Sequence, residues 1–213
     1  MFEELDYQGE GKIFDKYVNL KGKFLHKQIY DVLLDKNKNE VKYSKLSSII
    51  RYDKCLRDLL YKYLGTFEEW LRSVIFNKYD VANRNVVYKH KNYDRLVEDA
   101  FEKESDDDFS NLYFCFELEL YDTIEFVKNK MLFDKEMICK FDKIRKLRNM
   151  VMHHNIVVIG NSEKWNKAID NKNKVYDYID ALCDCLPDDY KAGFKSDINK
   201  LICDVKELKI VME

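Results

Sequence analysis

The sequence predicts an all-α bundle built around one long helix. One Pro and six Gly in 213 residues leave few places to turn the chain or break a helix. From Ser44 to Tyr79, apolar residues recur at three- and four-residue steps over far more turns than a strand could hold. Charged residues make up 36% of the chain beside 46% hydrophobic ones, the balance expected of amphipathic helices with one face in water.

Taken in order, residues 12 to 35 read as helical, with Ile13, Tyr17, Leu20, Phe24, Ile29 and Leu33 as the apolar stripe and Gly22 as a point of bending or division. A polar loop, D-K-N-K-N-E, follows at 35 to 40. The helix from Ser44 would be about 50 Å long. Its stripe is Leu46, Ile49, Ile50, Leu56, Leu59, Leu60, Tyr63, Leu64, Phe67, Leu71, Val74 and Ile75. Gly65-Thr66 offers it a kink, because Thr66 and Glu69 have capping-box spacing. Residues 80 to 91 lose the period, 93 to 103 form a short helix, and an acidic loop carries Asp106 to Asp108. Two amphipathic helices are expected at 110 to 130 and 134 to 155. The β-branched run at 155 to 160 weakens the second, with Gly160 as its stop. Helices at 162 to 185 and 188 to 210, separated by Pro187, complete the chain. The natural division is an N-terminal helical extension, 1 to 43, and a helical domain, 44 to 213.

Charge and cysteine content narrow the function classes. With 37 Lys and Arg against 39 Asp and Glu, the net charge is −2, which excludes attachment to nucleic acid by bulk electrostatics. Contact with RNA would require a local basic patch or an oligomer that concentrates charge. The acidic start, M-F-E-E-L-D-Y, is unlike a signal peptide, and no apolar run has the length of a membrane span. Cys55, Cys115, Cys139, Cys183, Cys185 and Cys203 form no C-x-x-C pair and no zinc spacing. Reduced thiols in a cytoplasmic protein are expected, with no metal, cofactor or membrane partner.

One segment concentrates chemistry. The 134–155 helix carries Lys140, Lys143, Arg145, Lys146 and Arg148, followed by Asn149, His153 and His154. Asn149 and His153 lie one turn apart and roughly 40° off a common line, whereas Arg148 sits roughly 140° from His153. A second copy across a two-fold axis would bring two Arg and two His into one cleft. Such a set suits RNA. Histidine can take the 2′-hydroxyl proton or protonate the departing 5′-oxygen, and arginine presents a charged planar fork to phosphate. Asn149 could orient the imidazole or the substrate. His154 is the internal rival to His153, turned about 100° from it. The spacing alone is equally compatible with a surface Arg and a buried, hydrogen-bonded His. Arg84-Asn85…His90 repeats it in a poorly periodic stretch.

Two stretches carry a family resemblance. I-R-K-L-R-N-M-V-M-H-H-N (144 to 155) looks like the R-N-x-x-x-H signature of HEPN ribonucleases. Residues 52 to 72 resemble the D-x-x-L-R…I-E-x-x-L-R pattern of the Abi, or abortive-infection, family. Asp53, Leu56, Arg57, Glu68, Leu71 and Arg72 fall at matching positions, and Phe67 replaces the aliphatic residue. L-P-D-D-Y-K-A-G-F (186 to 194) is similar to that family's Pro-plus-Tyr ending, while the first forty residues lack its Gly-Tyr-Tyr-Arg type segment. The resemblance implies an HEPN-like bundle, usually homodimeric, acting as a metal-independent endoribonuclease in phage defence or as a toxin. It assigns Arg148, Asn149 and His153 to catalysis. Glu68 and Arg72, one turn apart on the long helix, are expected either to pair with each other or to buttress the active helix, and Asp53 and Arg57 form an i,i+4 pair with the same two readings. His154 is expected in support, and Lys143, Arg145 and Lys146 on the RNA. A small noncoding RNA is an implied regulator. The alternative is a catalytically silent HEPN module that holds a noncoding RNA or a partner protein.

Overall fold

The structure, a computed structural model, describes residues 2–38, 40–78, 120–129, 131–153 and 156–213. Outside the described residues lie the expected connection at 80–91, the short helix at 93–103, Asp106 to Asp108, the Arg84…His90 pair, Cys115 and His154. What is described is predominantly helical: α1 (Gly11–Lys21), α2 (Lys23–Asn37), α3 (Tyr43–Lys78), α4 (Leu120–Asn129), α5 (Lys135–Met152), α6 (Trp165–Cys185) and α7 (Asp188–Lys200). Two-residue strands β1 (Leu5–Asp6) and β2 (Val41–Lys42) pair in parallel, Leu5 opposite Val41 and Asp6 opposite Lys42. None of the described helices is long and apolar enough to cross a membrane.

α3 is the spine. It runs unbroken through Gly65-Thr66, and Thr66 Oγ1 donates back to the Lys62 carbonyl at 3.3 Å. The capping-box reading is therefore corrected: the hydroxyl serves the preceding turn and starts no new helix. Leu46, Ile49, Leu56, Leu60, Tyr63, Leu64, Phe67 and Leu71 are buried along it, as the period predicts; Ile50 and Leu59 are half-buried, and Tyr52, outside the expected stripe, is buried as well. Each such fully buried side chain contributes roughly 1.5–3 kcal/mol of transfer free energy.

Gly22 divides the first helical stretch, with φ 91° and ψ 140°. That break shifts the phase, and the expected stripe holds only beyond it. Ile29 and Leu33 are buried, but Ile13, Tyr17, Leu20 and Phe24 are exposed and Phe14 is the buried residue of α1. The last helix is also shorter than expected. It ends at Lys200, and the chain continues extended to a 3-10 turn at Lys206–Leu208. Side chains from elsewhere satisfy this tail. Ser48 Oγ accepts from Asp204 N (2.9 Å) and Tyr52 Oη from Ile210 N (2.8 Å), while Asn199 bonds both the N–H and the carbonyl of Met212. Cys183, Cys185 and Cys203 are buried free thiols, whereas Cys55 and Cys139 are exposed.

The end of α5 is fixed by a clamp on the segment after it. Ile156, Val157, Val158 and Ile159 are buried, so their backbone groups need partners within the protein. Val158 N–H donates to Asp53 Oδ1 at 3.1 Å. Asn171 Nδ2 donates to the carbonyls of Val157 (2.8 Å) and Val158 (2.9 Å), and Gln28 Nε2 to that of Gly160. Three helices thus hold one turn of chain. Gly160 has φ 59°, and an added Cβ there would lie 2.7 Å from Asn171 Oδ1, so the position requires glycine.

Asp53 is 2% exposed and also accepts from Arg57 Nε at 2.9 Å. Burial raises its carboxyl above the ordinary aspartate value, against the downward pull of Val158 N–H and Arg57. Folding therefore favours its protonated form. That contribution is fully present below the ordinary carboxylate range and is lost as pH rises through the folded value. In urea denaturation, Asp53→Ala should cost about 3 kcal/mol, because it strands the buried Val158 N–H and removes the carboxylate bonded to Arg57. Asp53→Asn should cost less and should close on the wild type as pH rises from about 4 to neutrality. A gap that widened over that range would contradict the assignment.

Candidate active site

α5 begins at Asp134, whose Oδ1 accepts from Met137 N at 2.8 Å, with Glu136 adding negative charge to the first turn. Phe141, Ile144, Leu147 and Val151 bury one face of it. Phe141 joins Phe67, Trp70 and Phe133 in an aromatic cluster with centroid separations of 5.0–6.4 Å. This cluster seats α5 on α3 and fixes Glu68, the neighbour of Phe67, against it.

Arg148 leaves α5 on the α3 side. Its Nε lies 3.7 Å from Glu68 Oε1, and Arg72 Nη2 lies 3.7 Å from Glu68 Oε2. One carboxylate on α3 thus stands between two guanidinium groups. The 3.7 Å separations are those of charge attraction rather than hydrogen bonding. Arg148 Nε is buried and has no hydrogen-bond partner among the described residues. Glu68 is itself mostly buried, which raises its carboxyl above the ordinary glutamate value while Arg148 and Arg72 pull it down. Arg148, Glu68 and Arg72, named together from the sequence, are brought together by the fold.

Asn149 and His153 lie on exposed positions one turn apart, and His153 N donates to the Asn149 carbonyl at 3.1 Å. His153 caps the helix with φ −82° and ψ 8°. Its ring makes no hydrogen bond or ion pair among the described residues. The clamp holds residues 156–160 beyond it. Arg148 turns toward α3, whereas His153 lies at an exposed position roughly 140° away on the helical wheel.

The basic cluster divides over three directions. Lys143 bonds Asp177 on α6 at 2.8 Å, and Lys140 bonds Asp184 of α6 at 2.9 Å and Glu136 at 3.1 Å. Arg145 lies 5.3 Å above the Tyr121 ring of α4 and 3.6 Å from Asp142. Lys146 is exposed, without an ion-pair partner among the described residues, and nearly in line with His153 on the helical wheel. Lys143, by contrast, is engaged in an exposed ion pair, which is worth little.

Sequence reasoning missed the clamp. Asp53 and Arg57 are legible in the sequence as an i,i+4 pair, but nothing local marks Val158, 105 residues further on, as the second partner. Gln28 and Asn171 carry no signal of their role either. No family model, curated protein or solved structure matches the chain.

The tie between Glu68 and Arg148 is measurable as a coupling. A double-mutant cycle of Glu68→Gln and Arg148→Met, read by urea denaturation, should give about 1 kcal/mol, above the surface-pair median because both groups are largely buried. A coupling of zero would show that Glu68 does not hold the guanidinium.

Proposed function

We propose that the chain is a metal-independent endoribonuclease of the HEPN type, acting in phage defence or as a toxin. One observation carries this reading. The fold holds a guanidinium whose buried Nε has no hydrogen-bond partner among the described residues, five residues before an exposed imidazole, and three other helices hold the segment at 156–160 that follows. His153 removes the 2′-hydroxyl proton as the oxygen attacks phosphorus, or protonates the departing 5′-oxygen. Arg148 stabilises charge growing on the phosphate, and Asn149 orients the ring or the ribose. Glu68, with Arg72, keeps the Arg148 side chain in place.

The opposite aims of Arg148 and His153 within one chain support a homodimer, in which the arginine of one protomer and the histidine of its partner complete a cleft. Lys146, Lys143 and Arg145 then lead the RNA backbone to it. His154 is the rival base, and separate alanine substitutions distinguish the two.

A second reading rests on the same ion pair. With its charge answered by Glu68, Arg148 is a structural group, and the chain is a silent HEPN module that holds a noncoding RNA or a partner protein. The two readings diverge in one assay. Single-stranded RNA incubated with the full chain in EDTA should be cut to products with 2′,3′-cyclic phosphate ends. His153→Ala, confirmed folded and of unchanged oligomeric state, should lower the rate by about 10²–10⁴-fold. RNA binding without cleavage, indifferent to His153→Ala but lost on neutralising Lys143 and Lys146, would establish the silent module instead.

A further inference from the structure

A cavity lies at the other end of the molecule's helical order, between α1, α2 and the first turns of α3. It encloses about 490 Å³ and is lined by Glu10, Ile13, Tyr17, Lys21, His26, Tyr43, Ser47, Ile50, Arg51 and Lys54. That volume falls within the roughly 300–1,000 Å³ of small-molecule sites. The break at Gly22 creates it, because α1 folds over α2 with Phe14 inward and leaves Ile13 and Tyr17 facing the gap.

The lining separates into three chemistries. His26 sits at the floor and is fully buried, with Phe14 edge-on to its ring at 5.8 Å. Its Nδ1 lies 3.0 Å from the Gly22 carbonyl, which can only accept, so Nδ1 carries the proton and Nε2 presents a lone pair. Nε2 is buried and has no hydrogen-bond partner among the described residues, an unmet acceptor of the kind that stable interiors rarely keep. Burial holds this imidazole below its ordinary value and so neutral. Tyr17, Ile13 and Ile50 supply an aromatic face and apolar walls. At the rim, Lys21, Arg51 and Lys54 are exposed cations facing a single carboxylate, Glu10.

From this arrangement we infer a binding site for one ribonucleoside monophosphate unit. The base stacks on Tyr17 and donates an N–H toward His26 Nε2, Glu10 accepts from ribose hydroxyls, and the phosphate is held by Lys21, Arg51 and Lys54. Each group answers one part of a nucleotide. An acyl chain would leave the lone pair and the cations unused, and a bare anion would leave the aromatic face unused. The inference does not depend on the reading of Arg148 and His153, which lie on another helix. The same chemistry is offered by a free mononucleotide and by the 5′-phosphorylated end of an RNA.

Isothermal titration calorimetry of the full chain with each of the four ribonucleoside 5′-monophosphates tests it. At least one should bind saturably, with a dissociation constant below about 1 mM and about tenfold tighter than ribose 5-phosphate. Arg51→Glu and Tyr17→Ala alter exposed residues and leave the core intact, so they remain informative where His26→Phe misfolds. Each should weaken binding by about tenfold. Competition by a 5′-phosphorylated oligoribonucleotide, and not by its 5′-hydroxyl counterpart, would identify an RNA end as the occupant. Absence of competition by both would identify the free nucleotide. No saturable binding, equal binding of ribose 5-phosphate, or binding unchanged in both surface variants would overturn the inference.

Discussion

A carboxylate buried on α3 decides where α5 ends. Asp53 takes the N–H of Val158 while Asn171 takes two carbonyls and Gln28 a third, so a turn of apolar chain is held inside the bundle by polar side chains from three helices. Without those partners, the buried backbone of Ile156–Gly160 would have to continue as helix or open to water. Either change would alter the chain that begins three residues beyond His153. The charge on Asp53 costs desolvation, and the clamp is what it secures. A neutral, apolar residue could fill the space but could not accept the hydrogen bond.

A second carboxylate does related work one face away. Glu68 holds Arg148 and Arg72 at equal distances of 3.7 Å, and it too is raised by burial. The arrangement gives the Arg148 side chain a defined direction while leaving Nε without a hydrogen bond. A guanidinium held by attraction rather than by tight bidentate bonds can turn to a phosphate at modest cost. The tie that positions the arginine also restrains it, which is the physical content of the choice between a cutting enzyme and a silent module.

Much of this was legible from local pattern. The long helix follows from its three- and four-residue steps, the start of α5 from Asp134, and the breaks from Gly22 and Pro187. The ion pair across α3 and α5 joins residues the sequence had already singled out. Failures occurred where distant groups replaced local ones. The apolar face of α1 was misassigned because the period was carried through Gly22, whose conformation resets it, and so Phe14 rather than Ile13 is inside. The last helix stops at Lys200 because Ser48, Tyr52 and Asn199 satisfy the tail, two of them about 150 residues away in sequence. His26, between Leu25 and Lys27, gave no hint of an unmet acceptor.

The measurement closest to the central claim replaces one ribose by 2′-deoxyribose at the nucleotide whose linkage is cut. If the adjacent hydroxyl is the nucleophile, with His153 and Arg148 serving that attack, this one linkage should survive while the all-ribose RNA is cleaved there. Equal cleavage of both RNAs, or no cleavage of either, would contradict the account.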